Sequence, residues 1–217
     1  MSNHAGTVGW REARRSSARD AIVDSAWALV RDEGLAGLSL RDLAKRAGIT
    51  TPTVYAYFES KNAIYDAMFG RAAAEFADRM TQPYDSDDPR ALLAGGLRRF
   101  VEFCTSDAPR YQLLFQRTVP DFEPSPKSFA PSVRALDATR QRLARCGVTD
   151  SRHVDMWTAL TTGLVSQQIS NDPGGDRWTR LIEDFVTMFL AFAAPTAVPT
   201  EPRKRASRPP IKEASRR

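Results

Sequence analysis

The 217-residue chain has few of the side chains that build disulfide frameworks and metal centres. It contains two cysteines, Cys104 and Cys146, and two histidines, His4 and His153. Two thiols in different predicted helices of a protein that we expect to be cytoplasmic are more typical of reduced core residues than of a disulfide. Neither histidine belongs to a cluster of cysteine, histidine and acidic residues. We therefore expect no metal site and no cofactor.

Long apolar runs and alternating strand patterns are also missing. No stretch approaches the length of a membrane span, and the N-terminus lacks the apolar segment of a signal peptide. Valine, isoleucine and threonine do not cluster in alternating runs, which disfavours strands. No serine–histidine–acid, metal-ligand or phosphate-loop constellation indicates an enzyme. With 42% hydrophobic residues the chain can bury a core, and we predict an all-α, cytoplasmic protein that is neither an enzyme nor a membrane protein.

The positive charge is concentrated at the C-terminal end. Residues 200–217 contain seven basic and two acidic side chains, a net +5 that equals the net charge of the whole chain. The rest of the chain is balanced, so the basic isoelectric point does not by itself indicate a DNA-binding face. The segment is rich in proline and has no apolar face, which predicts disorder. Such a tail can add non-specific affinity for DNA by counterion release.

The stretch Leu38–Ile64 has the pattern of a helix-turn-helix. Ser39 is a suitable N-cap with an acidic residue three positions later, and apolar residues then recur at helical spacing. Gly48 follows where the first helix must end, and Pro52 suits the first turn of the second helix. A small residue at the crossing, a glycine in the turn and an apolar residue under the second helix (here Val54) are what this motif needs. An ordinary helical hairpin is the alternative.

The second helix of the motif, Thr51–Tyr57, is the segment that would enter the major groove. We predict that its buried side consists of Val54, Tyr55 and Phe58. Its outward side is predicted to contain Thr51, Thr53, Ala56 and Tyr57. No charge on this side would hinder approach to DNA.

The region from about Arg15 to Met68 resembles the DNA-binding domain of the TetR/AcrR transcriptional regulators. The resemblance rests on Asp32-Glu33-Gly34, Leu38-Ser39-Leu40-Arg41-Asp42-Leu43-Ala44, Ala47-Gly48-Ile49, Val54-Tyr55-Ala56-Tyr57-Phe58 and Ser60-Lys61. It implies a transcriptional regulator with an N-terminal helix-turn-helix domain and a larger helical domain for ligand binding and dimerisation, about nine helices in all. The family commonly has histidine where Tyr57 stands, a departure that bears on which operator is read.

Seven side chains are candidates for contact with DNA. Lys61 lies in the first turn of a helix that begins at Ser60, where backbone N–H groups and the helix dipole favour an anion, and the resemblance implies a phosphate contact there. Tyr55 and Tyr57 match family positions that touch the DNA backbone. The remaining candidates, for base edges or phosphates, are Arg41, Thr50, Thr51 and Thr53. Each of them can instead be merely an exposed polar residue.

Capping signals, prolines and glycines divide the chain into four segments. We predict a flexible basic arm over residues 1–14, a helix-turn-helix domain over 15–62, a ligand-binding and dimerisation domain over 63–194, and a disordered basic tail over 195–217. The basic lead-in around Arg14 and Arg15 could touch phosphate or the minor groove, although a solvated terminus fits equally well. Ser16 or Ser17 is the predicted cap of the first helix.

The last two predicted helices have apolar faces wider than one core-facing stripe. Their apolar residues are Met156, Trp157, Leu160, Leu164 and Val165 in one, and Trp178, Leu181, Ile182, Phe185, Val186, Phe189 and Leu190 in the other. A helix that is apolar over a wide arc needs a second partner. In the family these helices pair with their copies, so the resemblance implies a homodimer that reads near-palindromic DNA with two helices roughly 34–36 Å apart. A monomer with both helices buried internally is the alternative.

The resemblance also implies a small-molecule pocket in the second domain, mostly apolar as ligand pockets usually are. The candidate pocket residues are Phe100, Phe103, Cys104, Tyr111, Phe115, Trp157 and Thr162, with Arg110, Gln112 and Gln116 as polar candidates. The domain partly resembles a subtype of the family that is named for a Trp-His-Gly motif. This chain has Thr162 where that motif has histidine. We therefore predict a homodimeric repressor that a small, largely apolar molecule releases from a palindromic operator. The alternative is a DNA-binding protein without a ligand, whose second domain would be fully packed.

Overall fold

The computed structural model describes residues 5–84 and 86–194, and within these ranges the regular secondary structure is all helical, as predicted. The α-helices are α1 (Ala5–Glu33), α2 (Leu40–Arg46), α3 (Thr51–Tyr57), α4 (Lys61–Thr81), α5 (Pro89–Thr105), α6 (Ala108–Phe115), α7 (Pro126–Arg145), α8 (Ser151–Asn171) and α9 (Ile182–Ala193). Short 3-10 helices occupy Leu35–Gly37 and Thr179–Leu181. None of the helices in the described ranges has the length and apolarity to cross a membrane.

Side-chain caps fix where seven of the described helices begin. The hydroxyl oxygens of Ser39, Thr50 and Ser60 accept hydrogen bonds from backbone N–H groups at 3.1, 3.3 and 3.1 Å. Four later helices begin in the same way behind Asp88, Asp107, Ser125 and Asp150. These local hydrogen bonds satisfy donors that a helix start leaves unpaired.

The first helix begins earlier than the sequence analysis predicts. α1 starts at Ala5, so residues 5–14 of the predicted flexible arm are helical, and Ser16 and Ser17 lie inside the helix instead of capping it. No proline interrupts the segment, and its alanines, arginines and glutamate are good helix formers. Residues 1–4 of the arm and the predicted tail, 195–217, lie outside the described residues.

Two apolar cores share the long helix α4. The N-terminal core combines α1, α2 and α3 with α4 residues such as Ile64 and Phe69. The second core combines Phe76 and Met80 of α4 with residues of α5 to α9. At about 1.5 Å per residue α4 is roughly 30 Å long, enough to serve both. The division between the cores therefore falls inside α4, C-terminal to the predicted boundary at residue 63.

Helix α7 packs along α4 but turns two large apolar residues outward. Phe129 and Val133 are 47% and 44% exposed. The N-terminus of α7 is held at the edge of α4 by Asp66, whose carboxylate accepts from Ser125 N at 2.7 Å and from Ser128 Oγ at 2.9 Å. One side of Phe129 therefore contacts the protein, while the other side stays open.

Candidate nucleic-acid interface

The turn between α2 and α3 fixes the angle of the candidate recognition helix. Gly48 has φ +66°, a conformation that glycine adopts without strain. The N–H of Ile49 donates to Ala44 O at 3.0 Å and that of Gly48 to Lys45 O at 3.3 Å, the paired bonds of a Schellman helix end. Ala44 and Val54 are buried where the two helices meet. The motif predicted from the spacing is therefore present in geometry.

Helix α3 exposes a different tyrosine from the one predicted. Tyr55 is 53% exposed instead of buried, whereas Tyr57 is half-buried against the N-terminal core. Val54 and Phe58, four residues apart, face the core on one stripe. Tyr55 follows Val54 and is turned away from that stripe, while Tyr57 stays beside Phe58. Tyr55 is therefore the aromatic side chain that α3 presents most fully to solvent.

The threonines at the start of α3 form a local unit. Thr50 Oγ1 accepts from the N–H of Thr53, and the two hydroxyl oxygens lie 2.8 Å apart in a hydrogen bond. Thr50 is exposed, and Thr51 and Thr53 are half-exposed. Any DNA contact by Thr50 or Thr53 is therefore made by a group that also caps the helix.

Two arginines of α1 hold the C-terminal end of α3. The guanidinium of Arg15 donates to Ala56 O at 3.5 Å, and that of Arg19 donates to Tyr57 O while lying 4.2 Å from the ring centroid of Phe58. Positive charge at a helix C-terminus complements the helix dipole. Arg15 thus contacts α3, although the sequence analysis proposes phosphate or minor-groove contact for it. The i, i+4 spacing of the two arginines on α1 is the signal that could have found this pair.

Arg41 and Lys61 are the cationic candidates on the motif. Arg41 is exposed at the start of α2, and Lys61 is half-exposed in the first turn of α4, with Nζ 5.6 Å from the ring centroid of Tyr65. Neither forms an ion pair with a described acidic residue, whereas neighbouring Arg46 pairs with Asp32. Both charges therefore remain available to an anion such as phosphate.

The N-terminal core is tied directly to the second domain. Tyr65 of α4 is buried, its hydroxyl donates to Leu35 O, and burial raises its pKa to about 12. Its ring lies 5.6 Å from that of Phe122 in the connection between α6 and α7. Leu113 of α6 also belongs to the N-terminal core. Movement of α6 or of this connection therefore reaches the helix-turn-helix through packed side chains.

A cavity of about 290 Å³, named the inner cavity, lies among the helices of the second domain. Four of the seven predicted pocket residues line it, namely Phe100, Phe115, Trp157 and Thr162. The other three lie elsewhere in the core, because Phe103, Cys104 and Tyr111 are at most 1% exposed and do not reach the cavity wall. Burial raises the pKa of the Cys104 thiol, which keeps it protonated and apolar. Their helices turn these three side chains away from the cavity.

The polar candidates also lie outside this cavity. Arg110 pairs with Glu75 at 3.0 Å, and Gln112 is absent from the wall. Gln116 instead lines an outer pocket of about 560 Å³ between α4, α6 and the connection to α7. Leu114, Phe115 and Phe129 line both spaces.

The sequence analysis missed the contribution of α7 to the inner cavity. One face of α7 lines it with Ser132, Ala135, Leu136, Thr139 and Arg142, spaced as i, i+3, i+4, i+7 and i+10. Among the described residues of the wall only Arg142 is charged, and it is 9% exposed. The helical spacing of small residues on α7 was the available signal, but an arginine at its end is usually interpreted as exposed.

The sequence is similar to those of bacterial transcriptional regulators. The profile of bacterial regulatory proteins, tetR family, matches residues 22–68. The class C tetracycline repressor of Escherichia coli is 29% identical over 157 residues, which span 71% of this chain and 67% of that protein. The HTH-type transcriptional regulator Mb1846 of Mycobacterium bovis is 28% identical over 188 residues, 78% of this chain and 76% of that protein.

Solved structures extend the likeness to the whole fold. A tetR-family transcriptional regulator from Streptomyces coelicolor has a TM-score of 0.65 at 23% identity, with 81% of this chain and 80% of that chain covered. FadR from Bacillus subtilis has a TM-score of 0.63 at 18% identity, with 79% and 97% covered. These likenesses agree with the helix-turn-helix geometry and with the second helical domain. Residues 22–68 match the DNA-binding domain of tetR-family bacterial regulatory proteins, most of the chain is similar to regulators of that kind, and the protein is a DNA-binding transcriptional regulator.

Proposed function

We propose that this regulator is a repressor that binds a palindromic operator as a homodimer and is released when a small molecule enters the inner cavity. The observation that supports the proposal most strongly is the position of α4. Its first turn presents Lys61 beside the recognition helix, and its last turns line the cavity through Phe76 and Met80. One rigid element therefore touches both the candidate DNA surface and the candidate ligand site.

Operator contact in this proposal is made by residues of α2, α3 and the start of α4. Thr51, Thr53 and Tyr55 face the groove, while Thr50, Tyr57, Arg41 and Lys61 contact the phosphate backbone. The exposure of Tyr55 and the absence of acidic side chains on α3 support this assignment. Arg15 and Arg19 act indirectly, because they hold the carbonyl end of α3 in place.

Ligand binding would act on DNA affinity through α4 and α6. Leu114 and Phe115 line the cavity, and the preceding residue, Leu113, belongs to the N-terminal core. A ligand shifts such an equilibrium only by its differential affinity for the two arrangements. Among structures with this fold, FadR from Bacillus subtilis holds stearoyl-CoA and a TetR variant from Acinetobacter baumannii holds minocycline. A largely apolar cavity of this size in the second domain favours a ligand-responsive regulator over one without a ligand.

The dimer in this proposal forms through the outer faces of α8 and α9. Phe185, Met188 and Phe192 follow each other on α9 at i, i+3 and i+7, and Met188 and Phe192 are 54% and 57% exposed. Phe192 lies beside α8, with its ring 5.6 Å from that of His153. An exposed apolar stripe on one helix, such as this one on α9, is typical of an interface with a second copy.

Selection of random duplex DNA by the purified protein tests the proposal, with Tyr55→Ala and Lys45→Ala examined in parallel. Lys45 is an exposed residue of α2 outside the proposed contact set and serves as the matched control. Enrichment of a palindromic site that Tyr55→Ala loses and Lys45→Ala retains would support a dimeric reader that uses α3. A site without two-fold symmetry would exclude the dimeric arrangement, and unchanged selection by Tyr55→Ala would exclude the assigned reading face.

A further inference from the structure

The inner cavity contains a buried cation that lacks an acidic partner among the described residues. Arg142 is 9% exposed and its guanidinium makes one hydrogen bond, from Nη2 to Met80 O at 2.9 Å. A guanidinium has five N–H donors, and burying it without a counter-charge is unfavourable. Burial and the nearby charge of Arg99 and Arg145 lower the pKa of Arg142, although an arginine stays protonated at neutral pH.

The local structure makes room for this arginine. A Cβ atom added to Gly96 of α5 would lie 2.9 Å from both Cδ and Nη1 of Arg142, so a larger residue at this position would displace the guanidinium. Arg99 and Arg145 bind carbonyl oxygens of the α4–α5 connection, at Gln82 and Ser86. None of the three arginines forms an ion pair with a carboxylate of the described residues. The cluster is therefore positively charged on the side of the cavity where Arg142 lies.

The rest of the wall offers acceptors and apolar surface, but few donors. Thr139, Thr158 and Thr161 each donate their hydroxyl proton to a carbonyl one turn earlier in their own helix, at distances of 3.1, 2.9 and 2.8 Å. The other wall residues are mainly aromatic and aliphatic, including Phe76, Phe100 and Trp157. Besides neutral donors such as the hydroxyls of Ser132 and Thr162, Arg142 is thus the one cationic donor that the described residues of this mainly apolar wall supply.

We infer that the ligand of this cavity is an organic anion with an apolar body, held by its carboxylate against Arg142. The inference rests on the proposed function of the cavity as the effector site and specifies the chemical class of the effector. A planar carboxylate matches the fork of a guanidinium and supplies the counter-charge that the described residues lack. A cavity of about 290 Å³ has room for about ten water-sized groups, which limits the ligand to a small molecule.

A structural role for Arg142 is the competing explanation. Its bond to Met80 O satisfies a carbonyl at the C-terminal end of α4, where a cation is favourable. This role predicts that substitution lowers stability without changing which ligands bind. The role in ligand binding predicts a change in the preference for carboxylates over uncharged analogues.

The test measures dissociation constants of the full chain by calorimetry for two matched pairs, decanoate with decanamide and 4-butylbenzoate with 4-butylbenzamide. Within each pair the body is the same and the charge differs. We expect at least one carboxylate to bind the unmodified protein about tenfold to hundredfold more tightly than its amide. Arg142→Gln should reduce this ratio to within about twofold of unity. Arg145→Gln, a more exposed arginine three residues later, is the matched control and should keep the full ratio.

Three results would overturn the inference. The unmodified protein could bind amide and carboxylate equally, or the preference for the carboxylate could survive in Arg142→Gln. Finally, neither carboxylate could bind to protein whose operator binding is intact. If Arg142→Gln does not fold, Gly96→Ala is the second variant, because the added methyl group displaces the guanidinium without removing it. Operator affinity is measured separately. If a carboxylate binds through Arg142 but leaves operator affinity unchanged, the ligand class is supported and the proposed release of the protein from its operator is contradicted. If only an uncharged molecule releases the protein from its operator, the ligand class alone is contradicted.

Discussion

Phe69 of α4 and Phe129 of α7 stack with ring centroids 6.3 Å apart and ring planes 22° from parallel. Phe69 is part of the N-terminal core, and Phe129 lines the inner cavity. Their contact connects the candidate ligand site to the DNA-binding domain in a single step. Because Phe129 is half-exposed, the contact can change without dismantling either core.

Phe129→Ala should weaken the response to a ligand more than it weakens DNA binding. We expect operator affinity without ligand to stay within about threefold of the unmodified protein, because the lost contact is remote from α3. A bound carboxylate should lower operator affinity by a factor that is about fivefold or more smaller in Phe129→Ala than in the unmodified protein. Fivefold is the lower end of typical coupling between two binding sites. Fluorescence anisotropy with labelled operator, with and without the carboxylate, measures both quantities. Val133→Ala is the control, since Val133 is similarly exposed on α7 but does not line the cavity. If the carboxylate changed operator affinity equally in Phe129→Ala and Val133→Ala, transmission through the contact between Phe69 and Phe129 would be contradicted.

Much of this architecture was predictable because it is determined locally. The caps at Ser39, Thr50 and Ser60, the turn at Gly48 and the starts of the later helices depend on residues within one turn of each other. The exchange of roles between Tyr55 and Tyr57 was not predictable in this way. It depends on which stripe of α3 meets α1, a contact between residues about forty positions apart, such as Arg15 with Ala56.

The wall of the inner cavity likewise depends on contacts between residues that are distant in the sequence. An arginine near the end of a helix is ordinarily expected at the surface, but the burial of Arg142 depends on Met80 and on the missing side chain of Gly96. These three residues lie on three helices, and no local pattern relates them. The buried charge, which has no carboxylate partner among the described residues and on which the inferred ligand class rests, therefore becomes visible only once the helices are packed.

Tyr55→Ala should weaken operator binding without reducing stability. Tyr55 is exposed and makes no described side-chain hydrogen bond, so we expect the free energy of unfolding to change by less than about 0.5 kcal/mol. Loss of its DNA contact should raise the dissociation constant for operator about tenfold. Tyr57→Ala should by comparison also cost about 1–2 kcal/mol of stability, because that ring packs on the core. Urea unfolding and operator titration distinguish the two, and a stability loss shared equally by both variants would refute the assignment of exposed and packed tyrosines.

Thr50→Asp should separate capping from DNA binding. Aspartate is as good an N-cap as threonine, so we expect stability to remain within about 0.5 kcal/mol, whereas Thr50→Ala should lose about 1 kcal/mol. The added negative charge should repel phosphate and weaken operator binding about tenfold at low salt, with a smaller effect at high salt. Urea unfolding combined with operator titrations at two salt concentrations provides the measurement. If Thr50→Asp bound operator normally at low salt, Thr50 would not lie next to the DNA backbone.

Tyr65 should make folding sensitive to alkaline pH. Because burial raises its pKa from 10.0 to about 12, the unfolded chain releases the phenolic proton at lower pH than the folded chain does. The resulting stabilisation is complete below pH 10 and is lost as pH rises through about 12, for a total of about 2–3 kcal/mol. Urea unfolding at pH 8 and pH 11 should show that the unmodified protein loses about 1–1.5 kcal/mol more than Tyr65→Phe. Tyr55→Phe is the control for an exposed tyrosine, and a pH dependence unchanged by Tyr65→Phe would contradict the prediction.

Charge on the outer face of α9 should separate the proposed dimer. Met188→Lys and Phe192→Lys place a cation in an exposed apolar stripe, where pairing with a second copy would bury it at a cost of several kcal/mol. Thr187→Lys is the matched control, because Thr187 is exposed on α9 but lies off the stripe, with its hydroxyl bonded to Glu183 O. Sedimentation velocity should show monomers for the first two variants and dimers for the control. Operator affinity should fall more than a hundredfold in the monomers, since each half-site is then bound alone. Dimers in all three variants would place the interface on another surface of the second domain. If the unmodified protein is monomeric but still selects a palindrome, the two copies meet only on DNA.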